Sequence, residues 1–192
     1  DPNLGLSYAQ IVHDQLAAMD PDNAGYYSEN LERFRVKIGQ MDQAIRIAVA
    51  TIPEGNRKLL TYHDSWAYFA GQYGMEVIGA VQPSNFSQPS VKEVAALIDQ
   101  VKELGLPAVF GSEVFSSDVL ESIAKEANAE FIDDLADDDL PGKPGDPEHT
   151  YLGLMKNNLE AMIPALGGEA SAIAGLDVGN VFEGESDSVY PQ

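Results

Sequence analysis

The stretch Lys58-Leu-Leu-Thr-Tyr-His63-Asp64-Ser-Trp-Ala-Tyr-Phe69 decides the fold of this chain, because its periodicity changes partway through. Leu59, Leu60 and Tyr62 form a short apolar run, and Trp66, Phe69 and Tyr73 then recur at helical spacing. The change falls at His63 and puts that histidine at the carboxyl end of a predicted parallel strand. Ligands of open α/β sheets bind along that edge. A neutral imidazole there can ligate a metal. A buried histidine bonded to backbone is the other reading of the position.

Downstream, the same rhythm repeats. Residues 76–81 read as a strand and 91–104 as a helix with Val94, Leu97, Ile98 and Val101 on one face. Residues 108–110 and 130–132 read as strands, 117–127 as a helix carrying Val119, Leu120 and Ile123, and 150–166 as a helix carrying Leu152, Met155, Leu159 and Ile163. Four strands alternating with helices predict an α/β fold with a parallel sheet, a (βα)4 lobe.

Upstream, Leu31, Phe34, Ile38, Met41, Ile45, Ala48 and Ile52 alternate spacings of three and four. They predict one long spine helix over residues 21–53, with Asp20 as its N-cap and Pro21 at its first position. Residues 1–20 read as a linker and a short helix with Tyr8, Ile11, Val12 and Leu16 on its apolar stripe. Residues 54–167 make the lobe. Beyond Gly167-Gly168 the chain turns small, acidic and poorly periodic, so residues 168–192 are expected to form an irregular tail.

Composition narrows the function. With 192 residues and 44% hydrophobic content the chain can bury a core. Thirty-one acidic against eleven basic residues give a net charge of −20, which argues against nucleic acid as a partner. The absence of cysteine excludes disulfides and thiolate metal sites. No apolar run approaches membrane-spanning length. The chain begins at Asp1 without a methionine, which suggests a processed product or a fragment.

Four segments leave the carboxyl ends of the predicted strands: His63-Asp64, the run from Gln82 through Ser87, Gly111-Ser-Glu113, and Asp133-Asp134. One imidazole and several carboxylates on one edge suit a divalent cation. Asp133 stands out because it directly follows the apolar Phe131-Ile132. His13 shows no partner set in the sequence, and His149 precedes a helix that Thr150 can cap. Phosphate-binding and nucleophile-elbow signatures are missing, so an enzyme is not expected.

The phrases Thr61-Tyr-His63-Asp64-Ser-Trp-Ala-Tyr-Phe69, Val109-Phe-Gly-Ser-Glu113, Phe131-Ile-Asp133-Asp134-Leu135 and Thr150-Tyr-Leu-Gly-Leu-Met-Lys-Asn-Asn158-Leu159 resemble, in order and spacing, the zinc/manganese solute receptors of ABC transporters. The resemblance implies a bilobal fold on one rigid spine, of which this chain matches the carboxyl-terminal two-thirds. It implies Zn²⁺ or Mn²⁺ as the bound cation, an ABC transporter permease as partner, and a periplasmic or extracellular, lipid-anchored location. His63 and Asp133 would be metal ligands, with Glu113 and Asp134 orienting them.

The chain departs from that family at its start. The first lobe is missing, and the segment expected to read Asn/Asp-Pro-His-x-Trp is Asp1-Pro2-Asn3-Leu4-Gly5-Leu6. Asn3 thus marks a degenerate ligand position. Two outcomes are open: a receptor fragment that still binds metal, or a degenerate receptor acting as a structural or interaction subunit. The second reading predicts an apolar surface where the first lobe would pack, covered by a partner chain replacing it or by self-association. A Mg²⁺-dependent hydrolase on the acidic edge is the third reading.

Overall fold

A computed structural model describes residues 1–82, 89–112, 118–133, 135–136 and 139–182. Two antiparallel-running helices lead the chain. The first, α1 (Pro2–Met19), is eighteen residues long rather than short, and Asp1 caps it by accepting the Asn3 N–H. A single 3-10 turn at Pro21–Asn23 separates it from α2 (Ala24–Thr51), so the expected spine is a turn followed by a helix of 28 residues. Asp20 bonds the Asn23 amide and the Tyr27 hydroxyl instead of acting as a side-chain cap.

The α/β units then follow: β1 (Lys58–His63), α3 (Ala67–Tyr73), β2 (Glu76–Gln82), α4 (Val91–Leu104), β3 (Ala108–Phe110), α5 (Asp118–Ala127), β4 (Glu130–Ile132) and α6 (Tyr151–Ala165). Local chemistry sets the boundaries. Ser90 and Glu93 form a reciprocal capping box on α4, and Gly105 ends that helix in the left-handed region at φ +59°. Thr150 caps α6 by accepting the Gly153 N–H at 2.9 Å.

All four strands are parallel, in the order β2-β1-β3-β4. Alternation along β1 splits the core in two. Leu59 packs with Ile38, Met41, Ile45, Phe69, Phe110, Leu159 and Ile163 on the spine side. Leu60 and Tyr62 pack with Val101, Val109, Leu120 and Ile123 on the other. The sheet is covered on both faces, which is why its strands read as continuous apolar runs.

The expected irregular tail is described as far as residue 182, and one stretch of it is regular. A short helix, α7 (Ser171–Ala174), carries Ile173 into the spine-side core with 0% exposure, and Leu176 and Val178 pack beside it. From there the chain runs back along the spine. The Glu169 N–H donates to Thr51 Oγ1, Lys37 Nζ donates to Asp177 Oδ2 at 2.7 Å and to the Gly179 carbonyl, and Arg33 donates to the Val181 carbonyl. Thr150 Oγ1, already the cap of α6, donates to the Val178 carbonyl at 2.6 Å. A few apolar side chains and these polar tethers order a segment too short to show a periodicity.

The opposite edge of the spine looks different. On α1 the apolar residues Leu4, Tyr8, Ile11, Val12, Leu16 and Met19 share one stripe and stay exposed, Tyr8 at 72% and Met19 at 81%.

Candidate metal centre at the carboxyl edge of the sheet

Strand order fixes where a ligand can sit. The chain passes from β1 outward to β2, then returns across β1 to β3, so the direction of winding reverses between β1 and β3. At such a switch point the loops leaving adjacent strand ends part and open a crevice. His63 is the last residue of β1 and therefore lies at its mouth. Asp133 is exposed and is the first residue beyond β4, which pairs with the far side of β3.

Register relates the two. Thr61 pairs with Phe110 and Phe110 pairs with Ile132, so His63 and Asp133 leave the same edge on strands two spacings apart, roughly 10 Å. Thr61 Oγ1 donates to the His63 carbonyl at 2.7 Å and fixes the backbone where β1 ends. The Tyr62 ring stands edge-on to the imidazole, with centroids 4.7 Å apart. After β1, the Trp66 ring meets Phe69 edge-on and Phe69 in turn lies tilted against Tyr73.

Asp133 is set by its neighbours. The Gly111 N–H donates to the Ile132 carbonyl at 2.6 Å. A Cβ at Gly111 would come 3.2 Å from Asp133 Cα and 3.1 Å from the Phe131 ring, so glycine is what lets the end of β3 approach this backbone. On the other side Leu135 is buried, and both polar groups of the Asn158 amide bond Ala136. Glu113 and Asp134 lie outside the described residues. Among the described residues no group of three or more His, Asp or Glu side chains stands together as a metal cluster.

Asn3 is engaged by the spine. Its amide donates to Asp42 Oδ1 at 2.8 Å, tying the first turn of α1 to the spine. Asp42 also accepts from Tyr73 Oη at 2.9 Å and from the Arg46 guanidinium, which stacks on the Tyr73 ring. Partial burial works to raise the Asp42 carboxyl, but the bonds from Arg46, Asn3 and Tyr73 outweigh it and hold the group below its ordinary range. Burial first, and then the Asp42 bond, push the Tyr73 phenol far above its usual value. Nearby, Gly5 lets Tyr151 lie against α1, since a Cβ there would come 2.7 Å from Tyr151 Oη.

The other two histidines stand apart from this edge. His13 does have partners: Nδ1 lies 2.8 Å from Asp14 Oδ1 and Nε2 lies 3.0 Å from Ser28 Oγ, clasping α1 to α2. His149 Nδ1 bonds the Pro141 carbonyl at 3.0 Å. Sequence reading passed over Asp42 and Asn158. Asn158 carries a signal, because it stands three residues after Met155 on the apolar face of its helix, where a polar side chain needs a buried partner.

Comparison with known proteins bears on this arrangement. The family model of ZnuA, the periplasmic zinc-uptake complex component A, matches residues 1–165. The manganese-binding lipoprotein MntA of Halalkalibacterium halodurans is 26% identical over 161 residues, 84% of this chain and 53% of that protein. The high-affinity zinc uptake system protein ZnuA of Bacillus subtilis is 26% identical over 167 residues, 86% of this chain and 51% of that one. The chain thus spans about half the length of the curated relatives it matches. Among solved structures, the periplasmic zinc binding protein TroA from Treponema pallidum shares the fold with a TM-score of 0.78 at 24% identity, over 86% of this chain and 61% of that one. A crystal structure of ZnuA gives 0.68 at 27%, over 88% and 59%.

Proposed function

The chain belongs to the ZnuA family of zinc-uptake components, and from that premise we propose that it is the spine and second lobe of a receptor for a divalent metal ion. Its cargo is Zn²⁺ or Mn²⁺, held outside the cytoplasm and handed to the permease of an ABC transporter. The names of the relatives include manganese-binding lipoproteins and a high-affinity zinc uptake system protein, which supports this cargo class and a membrane-anchored location. No helix among the described residues is long and apolar enough to cross a membrane.

The observation that carries the reading is the pair of donors on the carboxyl edge of the sheet, His63 at the end of β1 and Asp133 after β4, in a chain whose family match covers both. An imidazole nitrogen and a carboxylate oxygen form a borderline donor set that suits Zn²⁺ and Mn²⁺ alike. Binding and release need no covalent step, so the role is that of a carrier and not an enzyme. Glu113 and Asp134 are proposed to orient the two ligands through hydrogen bonds.

Asn3 is engaged by Asp42 and adds no charge, so the described residues supply two donors and the remaining coordination comes from water or from a further lobe. The exposed apolar stripe of α1 is the surface on which such a lobe, or a partner chain carrying it, would pack. Titration of the protein with Zn²⁺ and Mn²⁺, alongside His63→Ala, tests the site. The affinity should fall at least tenfold in the variant; equal binding by both proteins rejects His63 as a ligand.

A further inference from the structure

Four polar residues are buried among the described ones: Thr61, Ser112, Thr150 and Asn158. Thr61 anchors the end of β1, and Thr150 caps α6. Asn158 does something different. It is 2% exposed on α6, and both halves of its amide engage one residue outside that helix. Nδ2 donates to the Ala136 carbonyl at 2.6 Å, and Oδ1 accepts the Ala136 N–H at 2.8 Å.

A single hydrogen bond leaves a loop free to pivot, whereas two bonds to one residue fix its position and its orientation together. Burying an amide costs free energy unless both groups are paired, so this geometry is held as a unit. Ala136 lies three residues beyond Asp133. Upstream, Gly111 holds Ile132 and lies against Asp133 Cα. The backbone carrying Asp133 is thus gripped from the sheet on one side and from α6 on the other.

We propose that Asn158 is the positioning residue for Asp133: by clamping Ala136 it fixes a point of the chain three residues beyond Asp133, and with it the direction of the Asp133 carboxylate at the carboxyl edge of the sheet. The inference rests on the metal-receptor reading of Asp133 given above. It explains why a polar side chain occupies the buried face of α6, where a leucine would pack without needing partners. Aspartate at 158 keeps the acceptor for the Ala136 N–H but turns an oxygen toward the Ala136 carbonyl, which breaks the donor half of the clamp.

The test uses the full chain with Mn²⁺ alone as probe, free Mn²⁺ being followed by electron paramagnetic resonance. The four proteins are wild type, Asn158→Asp, Asp133→Asn and the double variant. Groups that orient a metal ligand typically change affinity by about 10–100-fold when replaced. Asn158→Asp should weaken Mn²⁺ binding within that range, yet add nothing to Asp133→Asn. An equal loss in both backgrounds would mean that Asn158 supports the lobe in general and would overturn the proposal.

A second readout is independent of metal. The carboxyl carbon resonance of Asp133 in the apo protein should shift in Asn158→Asp, with circular dichroism confirming the fold. Asn158→Ser serves the same measurement if the aspartate variant does not fold. An unmoved resonance overturns the clamp. If Asp133→Asn leaves Mn²⁺ affinity unchanged, the metal assignment of Asp133 fails, and the resonance still decides what Asn158 does.

Discussion

Two segments flank the spine and reverse the usual relation between hydrophobicity and burial. Helix α1 is rich in large apolar residues, and six of them face outward along one stripe. The segment after α6 is small and acidic, yet its Ile173 is fully buried and its backbone is tethered at Thr51, Lys37, Thr150 and Arg33. A hydrophobic pattern says which face needs cover. It does not say whether the cover comes from the same chain.

The sharpest way to break this contrast is Ile173→Ala. Removing a fully buried isoleucine costs about 2–5 kcal/mol, and chemical denaturation should show a loss of that size. A loss below about 0.5 kcal/mol would mean that the segment only rests on the spine. Thr150→Val removes the α6 cap and the bond to Val178 in one step, for about 1 kcal/mol from the cap with a further share from the strap. Hydrogen exchange should then rise around residues 176–179 as well as at Gly153.

The polar anchor of α1 gives a pH test. The Asp42 carboxyl is held below its ordinary range in the folded state, so its stabilising contribution is present above about pH 4 and is lost as pH falls through the lowered folded value. Unfolding midpoints measured from pH 7 down to pH 3 should decline less steeply in Asp42→Asn than in wild type. The smallest effect is expected on the exposed stripe. Tyr8→Ser and Ile11→Ser should change stability by no more than about 0.5 kcal/mol, while lowering the binding of an apolar dye. A loss of several kcal/mol there would mean that the stripe is already covered.

Much of the α/β rhythm was legible because it is local. The strands 108–110 and 130–132 and the helix 91–104 carry their period and their caps in adjacent residues, and they form as read. Strand order was not legible, since nothing near β1 states that β2 and β3 take opposite sides of it. The strand-end placement of His63 and Asp133 could be read from changes in period. What holds them could not, because Asn158 reaches back 22 residues to Ala136 and Asp42 reaches 39 residues to Asn3. His13 looked unpartnered for the same reason, its Ser28 contact being made across the α1–α2 hairpin.

The strap has a mechanical consequence. Its tethers meet the spine in reverse order, with Val181 at Arg33, Asp177 and Gly179 at Lys37, and Glu169 at Thr51. Tension drawn from beyond Val181 would load these attachments one after another instead of all at once. The segment should therefore peel like a zip at low force, from the Arg33 end toward Thr51, with the fully buried Ile173 as its firmest tooth.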